Sequence, residues 1–329
     1  MTLNLNGAHV LVTGGSGFIA TNLIPRLDAS GAKVRATTYR RRPHDRHPGV
    51  EYVEADLTDL KVYGSLMSGI DAVFMCAANS SGAEVMAKTP LVHLTPNVIM
   101  NAASLAAAYE ANVKRFVFIS SNTVYPLTDY AVKESDAAFE FYRSYHVVGW
   151  MKRFSEIMCD MYRSRIANPM SVLTVRPGNL YGPHDKFTRR ESKVIAALIR
   201  RAVEKESPFT VWGDGNDIKD FLYIDDFIDA LLTLYGSVDV SGPVNIASGQ
   251  PISIRQIIPL ILKHASHEMV SVVFDDTKPT MIPKRLIDIS YLTGLTGWTP
   301  KTSINDGLLK TVSWYRTNFS DHTPEEVVL

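Results

Sequence analysis

Residues 9–20 read HVLVTGGSGFIA, and this stretch decides the fold. An apolar run rich in valine leads directly into a glycine-rich turn with the spacing G-x-x-G-x-x-A, and a helical pattern follows. Such a turn lets the backbone approach a pyrophosphate, whose negative charge is met by the unpaired amides at the start of the helix. We therefore predict that a dinucleotide contacts Gly14, Ser16, Gly17, Phe18 and Ile19.

The composition argues against several other classes of protein. The chain has 329 residues, 46% of them apolar, and its 34 basic residues balance its 34 acidic ones, which gives no general attraction to nucleic acid or to an anionic membrane. It has no signal-peptide pattern and no unbroken apolar run of about 18 residues. Cys76 and Cys159 lie in apolar runs, and the histidines stand singly. We expect a cytoplasmic protein with buried thiols and no metal site.

Short β-branched runs alternate with amphipathic helical patterns over the first half of the chain, which is typical of a parallel sheet covered by helices on both faces. After Pro177 a stretch rich in Gly, Pro and Asn interrupts the alternation, and a basic helix is predicted near residues 191–204. A strand and a helix over Phe221–Tyr235 are predicted to return to the sheet. The predicted strands are Ala8–Thr13, Lys33–Thr38, Val50–Glu54, Ala72–Cys76, Arg115–Ser120 and Ser171–Arg176.

These patterns predict an α/β fold with two interleaved domains. The larger is a Rossmann-type, doubly wound parallel sheet that binds the dinucleotide and takes residues 1–176 and 221–248. The smaller is a C-terminal α/β domain for the substrate, which takes residues 177–220 and 249–329.

The end of the second predicted strand bears on the choice of cofactor. An acidic residue about 20 positions after the glycines would bind the ribose 2′-hydroxyl of NAD. This chain has Arg40 and Arg41 there, and guanidinium groups pair well with a 2′-phosphate. We predict NADP in preference to NAD, with a solvated basic loop as the alternative. Asp56 and Leu57 are placed to contact the adenine or, in the case of Asp56, to cap a helix.

Six motifs carry a family resemblance: TGGSGFIA, EADLTD, FISSNTVYP, RPGNLYGP, FLYIDD and GWTPKTS. Over nearly the whole chain they resemble the extended short-chain dehydrogenase/reductases of the NAD-dependent epimerase/dehydratase type. The run NLYGPHDKF, followed by KVIAALIRR, VWGDG and KDFLYIDD, is most similar to the GDP-fucose synthases, and the GDP-mannose 3,5-epimerases are more distantly similar. The resemblance implies a nicotinamide cofactor, a nucleoside-diphosphate sugar as substrate and a homodimer.

Enzymes of this family use a Ser or Thr after the fifth strand together with Tyr-x-x-x-Lys on the following helix. Residues at i and i+4 share a helix face, so the ammonium lowers the phenol pKa and the phenol can pass a proton during hydride transfer. The resemblance assigns these roles to Ser121 and Lys152, and Lys152 would also contact the cofactor. The tyrosine position, however, holds Val148, which cannot move a proton.

Three hypotheses address this replacement. In the first, Tyr145 substitutes for the missing tyrosine, which requires a displaced helix start because Tyr145 lies about 5 Å further from Lys152. In the second, the protein inverts a carbon beside an existing keto group, and the dinucleotide is structural. In the third, it binds cofactor and sugar nucleotide without turnover.

The resemblance to GDP-fucose synthases also locates a pair of acid–base groups used in epimerisation. These positions hold Thr123, a poor proton donor, and Lys193, which could act as acid or base if it is buried. A double epimerase is thereby disfavoured, and single-centre inversion or ketone chemistry stays possible. A 4,6-dehydratase is disfavoured because Asn122 and Thr123 replace its Asp-Glu pair.

The remaining site residues are also implied by the resemblance. For the basic and aromatic ones there are structural alternatives, since Arg201 could lie on the exposed side of a helix and Trp212 could belong to the core. The cofactor is expected to contact Ala77, Ala78 and Pro177. The sugar nucleotide is expected to contact Ser80, Ser81, Asn179, Arg201, Trp212, Lys219 and Arg285.

Overall fold

The computed structural model describes residues 4–43, 46–80, 89–189, 191–237, 240–278 and 280–319. Within these ranges the strands are β1 (His9–Thr13), β2 (Lys33–Thr38), β3 (Glu51–Glu54), β4 (Ala72–Met75), β5 (Arg115–Ile119), β6 (Ala131–Val132), β7 (Ser171–Pro177), β8 (Asn179–Tyr181), β9 (Phe209–Trp212), β10 (Ile218–Tyr223), β11 (Pro243–Ile246), β12 (Pro251–Ser253), β13 (Val272–Asp275) and β14 (Leu286–Ile287). The α-helices are α1 (Phe18–Ala29), α2 (Tyr63–Met67), α3 (Thr95–Glu110), α4 (His146–Ser164), α5 (Val194–Val203), α6 (Ile224–Gly236), α7 (Ile254–His264), α8 (Ser290–Thr296) and α9 (Ile304–Phe319).

In the described part of the chain, seven strands form one sheet in the order β11-β7-β5-β4-β1-β2-β3. All neighbouring pairs in this sheet are parallel, and Val10 of β1 lies between Val34 of β2 and Ala72 of β4. The strand order reverses between β1 and β4, which opens a crevice at the carboxyl ends of these two strands. The doubly wound sheet is therefore confirmed, and each predicted strand is found to within one residue at either end.

Helices cover both faces of this sheet, and its central strands are accordingly buried over most of their length. Val10 and Val12 of β1 belong to a core cluster that includes residues of α1 and α6. Leu11, on the opposite face, belongs to a second cluster that includes residues of α2, α3 and α4. Cys159 of α4 is buried in this second cluster, as predicted, whereas Cys76 is only half-buried at the end of β4.

The prediction for Phe221–Tyr235 is right for the helix, which packs against β7 and β11 of the large sheet, and wrong for the strand. Its strand, β10, pairs with β8 and β12 in a separate three-stranded sheet, and only the following strand, β11, joins the large sheet beside β7. Helix α6 between them packs against α1. The same stretch therefore links the two sheets, which a strand-and-helix pattern alone does not reveal. The basic helix expected near residues 191–204 is α5.

One apolar segment satisfies the length and composition of a membrane-crossing helix, namely Leu91–Glu110 in the part of the chain that the structure describes. In this fold the segment includes α3, which packs against α2, α4 and strand β4. Its buried residues include the polar side chains of Asn97, Asn101 and Ser104.

Candidate active site

The glycine turn after β1 is closed by contacts that leave no room for side chains. Gly14 has a φ of +68°, and a Cβ there would lie 2.8 Å from the Cα of Ala77. A Cβ on Gly15 would lie 2.9 Å from the Cβ of Ala36. The amide of Gly14 donates to the hydroxyl of Thr37 at 2.9 Å, and the amide of Gly15 donates to the carbonyl of the same residue at 2.6 Å. The turn is thus fixed against the carboxyl ends of β2 and β4.

Helix α1 begins at Phe18 directly after this turn. Its N-cap, Gly17, makes no side-chain hydrogen bond, and no acidic residue lies in the first turn. The first amides of an α-helix have no partner within the helix, so these donors and the positive end of the helix dipole are open to an anion. A glycine cradle at a bare helix start fits the pyrophosphate of a dinucleotide.

The residues predicted to read the adenosine half lie after β2 and β3. The Arg40 guanidinium lies over the ring of Tyr39, at 5.1 Å from its centroid, and Arg41 forms an ion pair with Glu191. Asp56 accepts hydrogen bonds from the amide and hydroxyl of Thr58, at 2.9 and 2.7 Å. These bonds, with one from the Tyr39 hydroxyl, lower the pKa of Asp56, so its carboxylate is charged at neutral pH. Leu57 is buried beside it.

The loop after β4 completes the opposite wall of the crevice. The amide of Ala77 donates to the Thr13 hydroxyl at 3.0 Å, which ties the ends of β1 and β4 together. Farther along, Asn97 of α3 holds the backbone of Asn79 through its side-chain oxygen and nitrogen, at 2.8 and 3.0 Å. Ala77 is half-buried, and Ala78 and Ser80 are exposed at the crevice, while the predicted contact Ser81 lies outside the described residues.

Two hydroxyls stand together on the loop after β5, as the motif SSNTVY predicts. The Ser121 oxygen accepts from the amide of Thr123 at 3.2 Å and from its hydroxyl at 3.0 Å. The side chain of Asn122 is buried and donates to the carbonyl of Pro177 at 2.9 Å. Asn122 therefore joins the loop after β5 to the end of β7 and fixes the position of the hydroxyl pair.

Lys152 of α4 extends to the same edge of the sheet. Its ammonium donates to the carbonyl of Ile119 at 2.7 Å, two residues before Ser121, and lies 4.9 Å from the centroid of the Phe118 ring. Burial lowers the pKa of Lys152 to about 8, although the carboxylate of Glu156 opposes this shift. Lys152 is therefore near its titration point at neutral to mildly basic pH.

Helix α4 begins at His146, and no displaced start brings Tyr145 toward Lys152. Tyr145 is the N-cap, and its hydroxyl hydrogen-bonds the backbone of Ile282 near the Arg285 guanidinium. Burial raises the pKa of Tyr145 to about 12. This geometry gives no support to Tyr145 as a substitute for the missing tyrosine, because its hydroxyl lies at the backbone of Ile282 and not at Lys152.

Helix α4 also touches the hydroxyl loop directly. A Cβ on Gly149 would lie 2.6 Å from the carbonyl oxygen of Thr123 and 2.7 Å from the ring of Phe141. Gly149 follows Val148, so the helix turn that carries the valine is pressed against the loop of Ser121 and Thr123. Val148 itself lies one helical turn before Lys152, on the same face of α4.

Lys193 lacks the burial on which its acid–base role depends. It is exposed at the N-cap of α5. A residue that we did not single out from the sequence, Asp185 of the GPHD motif, is close enough for the charge of Lys193 to act on it. Burial raises the pKa of Asp185, and its carboxylate accepts from the amide of Lys186 at 2.8 Å. The GPHD motif, which contains Asp185, is the feature of the sequence that could have indicated this residue.

The three basic residues predicted to hold a diphosphate are engaged with internal partners. Arg201 binds both carboxylate oxygens of Glu206, at 2.6 and 2.5 Å, and its side chain is only 14% exposed, which argues against the exposed side of its helix. Lys219 binds Asp217 and the Ile282 carbonyl. Arg285 is buried and donates to the carbonyls of Tyr125 and Pro126, at 3.0 and 2.9 Å. A diphosphate would have to share or displace these partners.

The two remaining predicted substrate residues are placed differently. Asn179 is half-buried at the start of β8, and its side chain donates to the carbonyl of Asp220 at 3.0 Å. Trp212 at the end of β9 is 45% exposed, which rules out the alternative that it is a core residue. It is therefore available for stacking.

A buried network that sequence reasoning missed lies beneath the hydroxyl loop. Glu156, one helical turn after Lys152, binds Arg176 of β7 through two hydrogen bonds of 2.8 Å, and both side chains are 1% exposed. The Ser120 hydroxyl donates to Glu156 at 2.5 Å. Arg176 in turn donates to the Tyr125 hydroxyl at 2.9 Å. Helix α4 is thus tied to both ends of the loop that contains Ser121.

A dinucleotide cradle at the switch point of a doubly wound sheet, with a lysine and paired hydroxyls at the same edge, defines a Rossmann-fold protein of the extended dehydrogenase type. The chain belongs to the NAD dependent epimerase/dehydratase family, whose model matches residues 10–247. It is 30% identical over 321 residues to GDP-L-fucose synthase 1 of Arabidopsis thaliana, with 94% of each chain covered. It is 29% identical to GDP-mannose 3,5-epimerase 1 of Oryza sativa subsp. japonica, over 94% of this chain and 82% of that protein.

A solved structure extends this similarity to three dimensions. The structure of MoeE5 in complex with UDP-glucuronic acid and NAD superimposes with a TM-score of 0.82 and 25% identity. It covers 95% of this chain and 100% of that chain. The similarity therefore includes the smaller, C-terminal part as well as the large sheet.

Proposed function

We propose that the protein binds NADP(H) and a nucleoside-diphosphate keto-hexose, and that it acts as an epimerase or ketoreductase on that sugar. The observation that carries this proposal is the common location of the glycine cradle, Lys152 and the Ser121–Thr123 pair at one edge of the sheet. Similarity to GDP-L-fucose synthase 1 and to GDP-mannose 3,5-epimerase 1 supports a GDP-linked sugar. Other nucleoside diphosphates stay possible, because MoeE5 was solved with UDP-glucuronic acid.

The residues of this chain suggest how the two ligands would be held. Gly14, Gly17 and the start of α1 would hold the pyrophosphate of the cofactor, which supplies or accepts hydride when it is bound. Arg40 and Arg41 would meet a 2′-phosphate. Asn179 and Trp212 would contact the sugar nucleotide at the smaller domain. Ser121 and Thr123 would hydrogen-bond the keto oxygen and orient it.

Val148 limits the proton chemistry. With no phenol at this position, Lys152 is the titratable group at the hydroxyl loop, and its pKa of about 8 suits proton exchange near neutral pH. In an inversion, the neutral form of Lys152 would take the proton from the carbon beside the ketone, and the hydroxyls of Ser121 and Thr123 would hydrogen-bond the enolate oxygen that results. Solvent water would return a proton to the opposite face of that carbon, and the protonated lysine would lose its proton to the hydroxide left behind. We therefore favour inversion beside an existing ketone as the reaction, with ketone reduction as the second candidate.

A non-catalytic binding module is the alternative that Val148 favours. An enzyme is distinguished from a binding module by incubating the protein in deuterated water with NADPH and either the GDP- or the UDP-linked 4-keto-6-deoxyhexose. Deuterium in the recovered sugar without NADPH oxidation is expected for an epimerase, and NADPH oxidation is expected for a ketoreductase. If neither occurs although both ligands bind, the enzymatic proposal is wrong. A Lys152→Met variant is the control, because it should lose either activity.

A further inference from the structure

Residues 182–189, together with Glu191, form a segment that we call the strap. The strap belongs to the smaller domain but contacts three separate elements of the larger one. The side chain of Asn22 of α1 donates to the carbonyl of Pro183 at 3.1 Å. The Lys186 ammonium donates to the carbonyl of Ser80 after β4 at 2.6 Å. Arg41 after β2 pairs with Glu191. Because α1, β2 and β4 surround the glycine cradle, the strap crosses the mouth of the cofactor crevice.

The partner of Arg41 is the unexpected part of this arrangement. Arg41 is one of the two guanidinium groups predicted to meet a 2′-phosphate, the other being Arg40, and it is paired with the Glu191 carboxylate. Glu191 is also 3.8 Å from Lys186, so it lies between two cations at the place where an anionic group of the cofactor would arrive. A carboxylate and a phosphate compete for the same guanidinium, whereas the neutral 2′-hydroxyl of NAD does not.

We propose that Glu191 is a specificity-determining residue, which occupies Arg41 until a 2′-phosphate displaces it and thereby weakens NADP binding relative to NAD. This inference rests on the proposed function, since it requires a dinucleotide in the crevice. The pair is partly exposed, at 35% and 31% of the two side chains, so its effect is modest. On release, Glu191 keeps Lys186 as a partner, which lowers the cost of displacement.

The test compares NADPH and NADH binding by the full-length protein and its Glu191→Gln variant in titrations at one ionic strength. The variant should bind NADPH about two- to fivefold more tightly, while its affinity for NADH changes by less than about 1.5-fold. Glu204→Gln is a matched control, because Glu204 pairs with Arg200 at 2.9 Å on α5 and takes no part in the strap contacts. It should leave both affinities unchanged.

A second background tests whether Arg41 mediates the effect. In an Arg41→Ala protein, the further change Glu191→Gln should give no additional gain for NADPH. An equal change for both dinucleotides, or a gain that persists without Arg41, overturns the role of Glu191 but leaves the proposed function intact. If the unaltered protein binds neither dinucleotide, the proposed function is wrong, and this inference is wrong with it.

Discussion

At the scale of single residues, the glycine turn could be predicted because its requirements are local. Gly14 needs a positive φ and a close approach to Ala77, and only a residue without a Cβ meets both. The basic residues illustrate the opposite case. Arg41 pairs with a residue 150 positions away, and Arg285 holds a backbone carbonyl 160 positions away. No sequence pattern identifies partners that lie so far apart in the chain. The sequence therefore could not show that Arg41 and Arg285 are already bound to other groups of the protein.

The effect of the valine at position 148 can be tested by replacing it with tyrosine. Replacing Val148 by Tyr places a phenol one helical turn before Lys152, on the helix turn that contacts the loop of Ser121 and Thr123. We expect hydride transfer from NADPH to a keto-sugar nucleotide to rise at least ~10-fold, a conservative share of the usual contribution of general acid catalysis. The measurement is the rate of NADPH oxidation with saturating substrate.

The matched control for this variant is Val148→Phe, which adds a ring of similar size but no hydroxyl. It should leave the rate at the level of the unaltered protein or below it. Equal rates in the Tyr and Phe variants would show that the position does not participate in proton transfer. Tyr145→Phe should have little effect on the rate, because the Tyr145 hydroxyl is engaged with Ile282.

At the scale of secondary structure elements, α4 has two attachments to the site. Gly149 lets the helix touch the backbone of Thr123, and the pair of Glu156 with Arg176 ties it to β7. The helix and strand themselves could be predicted from periodicity. The ion pair that joins them could not be predicted, because Glu156 and Arg176 lie in separate motifs. Each of them, considered alone, would be expected to be an ordinary surface charge.

The buried pair predicts a large loss of stability. Glu156→Gln removes the charge that compensates Arg176, and both side chains are 1% exposed. We expect the free energy of unfolding to fall by about 3–5 kcal/mol, as is typical when one partner of a buried ion pair is removed. Denaturant titration monitored by circular dichroism measures this loss.

The same experiment needs a partly exposed pair for comparison. Glu204→Gln breaks the pair with Arg200 on α5, in which the glutamate side chain is 33% exposed, and should cost about 1 kcal/mol or less. A loss for Glu156→Gln no larger than this would mean that the pair does not hold α4 to the sheet.

At the scale of the whole molecule, the sequence predicted a doubly wound sheet, and the strand order confirms it. The alternation of strands and helices was sufficient because parallel strands require crossover helices. The sheet to which β10 belongs could not be predicted in this way. A short strand followed by a helix fits either sheet, and the choice depends on the pairing of β10 with β8 and β12.

Dinucleotide binding at the turn between β1 and α1 is the claim on which the functional account depends. Gly17→Val tests it at the least crowded glycine of the cradle, since a Cβ there approaches the carbonyl oxygen of Gly14 at 3.0 Å, whereas one on Gly14 or Gly15 would lie within 2.9 Å of a carbon atom. Gly294→Val is the control, because a Cβ at that position meets no atom within 4 Å outside its chain neighbours and the backbone of its own helix.

The most direct measurement is calorimetric titration of NADPH into the unaltered protein and these two variants, each checked for its melting temperature. We predict saturable binding of one NADPH per chain by the unaltered protein and by Gly294→Val, and a loss of at least ~100-fold in affinity for a folded Gly17→Val, which amounts to about 2.7 kcal/mol. No binding by the unaltered protein, or unchanged affinity in Gly17→Val, would contradict the account.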